Sequence, residues 1–198
     1  MSSDSPLGIR QLERLSKILI RQNRTRISNN KYEVMSPDGS TVLFAKEDSG
    51  LLDRMLVGTS RAFEINIFDT EDKEVIRLRR PYTMGPDKMD VCVCGQPASV
   101  VRREVTFLKP VINVNDARDR PAYRVKGPLV TTSVCDFEIY TKDKKRIGVI
   151  GKKWSSGVKE MVSYADSYVI EVPQDLDVRY KAAFIGTCLL IDFMFYES

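Results

Sequence analysis

Asp192 stands nearly alone in an apolar run: between Ala182 and Tyr196 only it and Thr187 are distinctly polar. A carboxylate in such surroundings needs a hydrogen-bonding or cationic partner before it can do any other chemistry. None of the other acids among the chain's 27 stands out as half of a catalytic pair. Histidine is absent, which removes the commonest general base and a favoured metal ligand, and excludes Ser-His or Cys-His catalysis and histidine-bound zinc. Cys92, Cys94, Cys135 and Cys188 show no Cys-x-x-Cys spacing and are too few for a disulfide framework. The chain therefore reads as reduced and intracellular, and not as a conventional enzyme.

What remains is the chemistry of charge. Residues 1–30 hold Arg10, Arg14, Lys17, Arg21, Arg24 and Arg26 against Asp4 and Glu13, an excess equal to the net charge of +4 on the whole chain. Such a face suits phosphate, on lipid headgroups or on nucleic acid. The arginines lack interleaved aromatics and any recognised motif, so nucleic acid is the weaker partner.

The elements that position these residues follow from periodicity. The run over 176–196 is apolar on every face of a helix, so something must enclose it. It is shorter than the roughly 20 apolar residues of a membrane span and it contains Asp192. It reads better as a core helix, with a membrane span as the competitor.

Before it, Leu7 to Leu15 predicts a short helix and Lys17 to Arg21 a first strand. A hairpin unit then recurs: Tyr32-Glu33-Val34, Phe63-Glu64-Ile65 and Phe137-Glu138-Ile139 each open a strand. A turn at Ser36–Ser40, Asp69–Lys73 or Thr141–Lys145 follows, and then a second strand. Aromatic and aliphatic two residues apart share one strand face. Tyr123 and Val125 form a degenerate fourth copy. Further strands are expected over Val91–Cys94, Val100–Val105, Val111–Val114 and Tyr168–Val172, separated by turn signals including Gly95-Gln96-Pro97. Ten to twelve short strands with one apolar face, plus a helix needing cover all round, predict an all-β closed barrel of antiparallel strands around a buried C-terminal helix. At 198 residues this fits one domain, 16–198, after an N-terminal segment, 1–15.

Several stretches resemble the phospholipid scramblase family: Asn29 to Glu33, Ala45 to Asp48, Arg61 to Phe63, Lys126 to Pro128, Cys135 to Ile139, Gly151 to Ser155 and above all Tyr168 to Ser198. The resemblance implies a tubby-like fold of twelve strands around a C-terminal helix. It also implies a membrane-associated protein linked to calcium-dependent, ATP-independent movement of phospholipids between leaflets, probing acidic lipid from the cytoplasmic face of the plasma membrane. In that family the C-terminal helix has also been read as a membrane span.

The family's proposed calcium segment maps onto Tyr164 to Asp175, offering Asp166, Glu171 and Asp175 as ligands. Tyr164 occupies the first position, where an acid is wanted, and Val169-Ile170 reads as strand, so the loop is poor by the standards of a calcium hand. The palmitoylated cysteine cluster of the family has no counterpart after Arg80-Pro81, and Cys92 and Cys94 alternate as packing residues on a strand would. Of the family's nuclear-import segment only Lys152 and Lys153 remain. Candidate headgroup contacts are Arg21, Arg24, Arg26, Lys144, Lys145, Arg146, Lys152 and Lys153. A single short helix cannot line a polar path for a headgroup, so lipid translocation would need homo-oligomers. Docking on acidic lipid without translocation is the alternative.

Overall fold

The computed structural model describes residues 5–22, 30–46, 63–81, 86–128, 136–152 and 167–195. A short helix, α1 (Leu7–Glu13), leads into twelve strands: β1 (Lys17–Gln22), β2 (Asn30–Met35), β3 (Thr41–Lys46), β4 (Phe63–Asp69), β5 (Glu74–Arg80) and β6 (Lys88–Val93), then β7 (Gln96–Arg103), β8 (Val111–Asp116), β9 (Pro121–Lys126), β10 (Phe137–Thr141), β11 (Arg146–Lys152) and β12 (Ser167–Glu171). The helix α2 (Val178–Phe195) follows. Each strand pairs antiparallel with its neighbours in sequence, and β1 pairs with both β2 and β12, as in Leu19↔Met35 and Leu19↔Val169. The barrel is therefore closed, with no exposed edge.

All the short connections lie at one rim, and four of them are the same turn. Gly39, Asp72, Asp119 and Lys144 each adopt a positive φ, of 89°, 62°, 63° and 63°. Each donates its N–H to the carbonyl three residues back, at 2.9–3.0 Å. This is the three-residue hairpin loop whose last residue is left-handed. The first residue supplies side-chain support: Asp69 Oδ1 accepts from the N–H groups of Glu71 and Lys73, and Asp116 Oδ1 from those of Arg118 and Arg120. The repeated hairpin of the sequence is thus a repeated turn in the structure. The fifth short turn is tighter: Cys94 and Gly95 (φ 50° and 75°) reverse the chain, and Gln96 and Pro97 already belong to β7. The expected turn at Gly95–Pro97 is shifted back, and Cys94 lies in the turn instead of on a strand.

Apolar residues of every hairpin point inward: Tyr32, Val34, Ile65, Ile67, Val125, Phe137 and Ile139 are buried. In β1 and β12 the continuous apolar runs Ile18–Ile20 and Tyr168–Ile170 are buried without alternation. Both faces of these strands are covered, and Leu19, Met35 and Val169 form a second cluster beside the main core.

The helix α2 fills the barrel. Its 18 residues extend about 27 Å at 1.5 Å per residue. Every residue from Lys181 to Asp192 is buried, more than three turns, so no helical face is left open in that span. A side chain on Gly186 would meet Met89 and Leu78 at 2.8 and 3.0 Å, so the helix approaches β5 and β6 closely. Tyr123 of β9 packs edge-on against Tyr180 and Phe184, at ring separations of 4.8 and 5.6 Å. The core-helix expectation holds. Among the described residues no helix is long and apolar enough to cross a membrane.

The short-turn rim is closed by α1, whose Ile9 and Leu12 are buried in the main core. Gly8 makes that docking possible: a Cβ there would lie 2.5 Å from Leu43 Cδ2 and 2.6 Å from Asp69 Cβ.

Candidate functional site

Two polar anchors hold the helix, and they sit toward opposite ends of the barrel. At the α1 end, the Lys181 ammonium donates to the carbonyls of Glu13 (2.6 Å), Leu15 (2.8 Å), Gln174 (2.8 Å) and Leu12 (3.4 Å). A helix leaves its last carbonyls without intrahelical partners, and a cation there also suits the helix dipole. Lys181 meets that need for α1 while tying it to α2 and to the turn after β12. Burial pushes the Lys181 ammonium below its ordinary pKa, against the upward pull of Glu13 and Asp175. The signal in the sequence was one lysine opening an apolar run, and the sequence reading passed over it.

At the other end, Asp192 has the partners that its burial demands. Tyr168 donates its hydroxyl to Oδ1 at 2.7 Å and Tyr32 donates to Oδ2 at 3.1 Å. These tyrosines come from β12 and β2, the two neighbours of β1, so Asp192 cross-links the strands at the barrel seam. Lys181 and Asp192 thus act as structural anchors toward the two ends of α2.

Two of the three candidate cation ligands lie among the described residues. Glu171 forms an ion pair with Lys17 at 2.7 Å, Asp175 lies exposed in the turn after β12 facing the Lys181 charge, and Asp166 lies outside the described residues. A hard cation requires six to eight oxygens around it. Among the described residues, which leave out Asp166, no group of three Cys, Asp or Glu side chains is placed to hold a metal ion.

The candidate headgroup contacts divide. Lys144 and Lys145 occupy the β10–β11 turn at the short-turn rim, and Arg146 begins β11 with its Nε 3.1 Å from Glu138. Lys152 ends β11, six residues and therefore about 20 Å farther along. Arg21 lies near that opposite end of β1, paired with Glu33. Arg24, Arg26 and Lys153 lie outside the described residues. The strands thus do not bring the described candidates into a single patch. Beside Arg146, a groove is lined by Gly148, Val149, Glu171 and Pro173. Gly148 is required there, since a Cβ would fall 2.1 Å from the Glu171 carbonyl oxygen.

At the rim opposite the short turns, one described loop displays what a soluble surface seldom does. In the β7–β8 connection, Val105, Phe107 and Leu108 are 76%, 97% and 72% exposed. Sequence reading placed Val105 at a strand end and gave Phe107 and Leu108 no role.

Comparison with known proteins finds relatives in sequence along nearly the whole chain. Phospholipid scramblase 1 of Homo sapiens is 34% identical over 98% of this chain and 67% of its own length. Phospholipid scramblase 2 of Bos taurus is 33% identical over 97% of this chain and 72% of its own. Phospholipid scramblase family member 5 of Homo sapiens is 34% identical over 97% and 78%. The chain spans roughly two thirds to three quarters of these relatives. No solved structure matches it. The family model described as Scramblase matches residues 1–198, and with relatives of this identity the chain belongs to the Scramblase family.

Proposed function

We propose that this chain is a scramblase-type protein that binds phospholipid bilayers from the cytoplasmic face, at the plasma membrane, and moves phospholipids between leaflets without nucleotide hydrolysis. The observation that carries the reading is similarity along nearly the whole chain to proteins named phospholipid scramblases. The geometry adds a constraint. A helix buried from Lys181 to Asp192 cannot line a headgroup path while it stays sealed, so lipid contact belongs to the outer wall and rims, and a path requires several copies. The proposal routes no step through calcium, and dependence on the ion is a separate arm of the test below.

The sealed helix also favours a second reading, docking on acidic lipid without translocation. Purified chain reconstituted into vesicles, with a labelled lipid followed by external quenching, separates the two. Leaflet exchange above that of protein-free vesicles supports the first, and parallel arms with calcium and with chelator measure its dependence on the ion. Binding without exchange supports the second, and absence of both refutes the membrane reading altogether.

A further inference from the structure

We propose that the β7–β8 connection, Glu104–Pro110, is a bilayer-inserting loop: Val105, Phe107 and Leu108 enter the acyl boundary of a phospholipid leaflet while Lys109 and Arg103 meet anionic headgroups. The proposal rests on the membrane reading above and names the element that makes contact.

Three observations support it. First, the apolar side chains are displayed and not collapsed onto the barrel. Phe107 is 97% exposed, flanked by Leu108 at 72% and Val105 at 76%, the only exposed large hydrophobics among the described residues. Isolated exposed apolar residues are ordinary, but a contiguous group on one tip marks an interaction site.

Second, the base of the loop is built to hold the tip out. The Glu104 N–H donates to the Val111 carbonyl and the Gly127 N–H to the Pro110 carbonyl, both at 2.8 Å. Pro110 also packs on Gly127, where a Cβ would lie 2.4 Å from Pro110 Cγ. Within the tip, the Thr106 hydroxyl donates to the Lys109 carbonyl, which curls the chain so that 107 and 108 lead. Holding the loop in this form beforehand reduces the ordering cost on binding.

Third, the charges suit an anionic surface. The one acid of the loop, Glu104, is taken up by Asn113 and Arg124. Lys109 is exposed and has no ion-pair partner among the described residues. Arg103 at the base of the loop is half-exposed, and among the described residues its ion-pair contact is with Asp87 at 3.5 Å. Apolar residues flanked by cations are the composition of elements that lie in the headgroup boundary. A protein groove could also receive apolar residues, but the flanking bases favour an anionic lipid surface. The loop stands at the rim toward which α2 runs its C-terminal end, opposite Lys144 and Lys145. The barrel would thus meet the bilayer end-on, with the α1 cap facing away.

The test uses the full chain and vesicles of phosphatidylcholine and phosphatidylserine mixed four to one. Phe107→Trp is placed in a chain whose single tryptophan, Trp154, is replaced by phenylalanine. If that background does not fold, Trp154 is kept and the parent's emission is subtracted. Emission from position 107 should shift to the blue on binding and be quenched by lipids brominated on their acyl chains. Phe107→Ser with Leu108→Ser should weaken vesicle binding by on the order of tenfold per side chain, from the apolar area withdrawn, while the thermal midpoint stays unchanged. Phe107→Leu should stay within a few-fold of the parent.

Full vesicle binding with an unshifted reporter overturns the loop proposal and leaves the membrane reading standing. Failure of the parent to bind vesicles overturns both. Self-association in lipid-free buffer that the double serine variant abolishes overturns the bilayer as occupant and gives the loop to a second copy of the chain.

Discussion

Replacing Lys181 with methionine tests whether the barrel's cap is held electrostatically. The change keeps the length of the side chain and removes an ammonium that donates to four backbone carbonyls, three of them within 2.8 Å. Hydrogen bonds to charged groups contribute about 1.5–3 kcal/mol each, and a buried acceptor left unpaired costs about 1–3 kcal/mol. The desolvation of the ammonium, visible in its lowered pKa, offsets part of the gain, and the methionine recovers some packing. The net expectation is a loss of about 2–4 kcal/mol. For a chain of this size with a urea slope of about 2–3 kcal/mol/M, the midpoint should fall by about 1–2 M. Amides of α1 should lose exchange protection before those of the barrel strands, because Leu12, Glu13 and Leu15 are tied to α2 through this one side chain.

The pH dependence carries a sign. With the folded pKa below the ordinary 10.5, the unfolded chain binds more protons between the two values. The lysine's contribution to stability therefore rises with pH through that window and falls as pH drops through the folded pKa. The methionine variant should lose this slope. An unchanged urea midpoint with α1 still protected would refute the account of Lys181 as the clasp.

Two further predictions concern the other polar anchors. Asp192→Ala should destabilise the chain by about 2–4 kcal/mol by leaving the Tyr32 and Tyr168 hydroxyls without their shared acceptor. In a double-mutant cycle with Tyr168→Phe, the two changes should be non-additive by about 1 kcal/mol or more, and additive costs would remove Asp192 from the seam. On the surface, the Arg102 guanidinium beside Asp119 lowers that carboxyl from 3.8 to about 2, with Asn115 adding a hydrogen bond at 2.7 Å. This stabilisation is present above pH 3.8 and is lost as pH falls through about 2. Arg102→Ala should return Asp119 toward its ordinary pKa by NMR titration, with a stability loss kept small by solvent screening.

Much of the architecture is written in local patterns. The aromatic-Glu-aliphatic openings mark three hairpins, and strand alternation follows from which face meets the core: Phe137 and Ile139 are inward because they are two residues apart. The uniformly apolar run at the C-terminus demands an enclosure, and a row of one-faced strands offers one, so the closed barrel around a helix follows from two burial needs that satisfy each other. Asp192 was legible as a carboxylate in need of partners because nothing else in its run is charged. These are properties of residues close together in sequence, where spacing alone sets which side chains share a face.

The identity of the partners belongs to the tertiary structure. Tyr32 and Tyr168 meet Asp192 only because β2 and β12 flank β1 at the seam, 160 and 24 residues away along the chain. Lys181 reads as an ordinary lysine until α1 folds over the rim and turns its carbonyls inward, 166 to 169 residues away. Of the acids mapped onto a cation loop, Glu171 has Lys17 as its partner only because β12 lies beside β1. Likewise, along the chain the lysines of 144–145 stand out and the apolar tip of 105–108 does not, and only strand direction assigns them to opposite rims. Local composition sets what each residue needs, but charge and hydrogen bonding act through space, so what each residue receives depends on which strands the closed barrel makes neighbours.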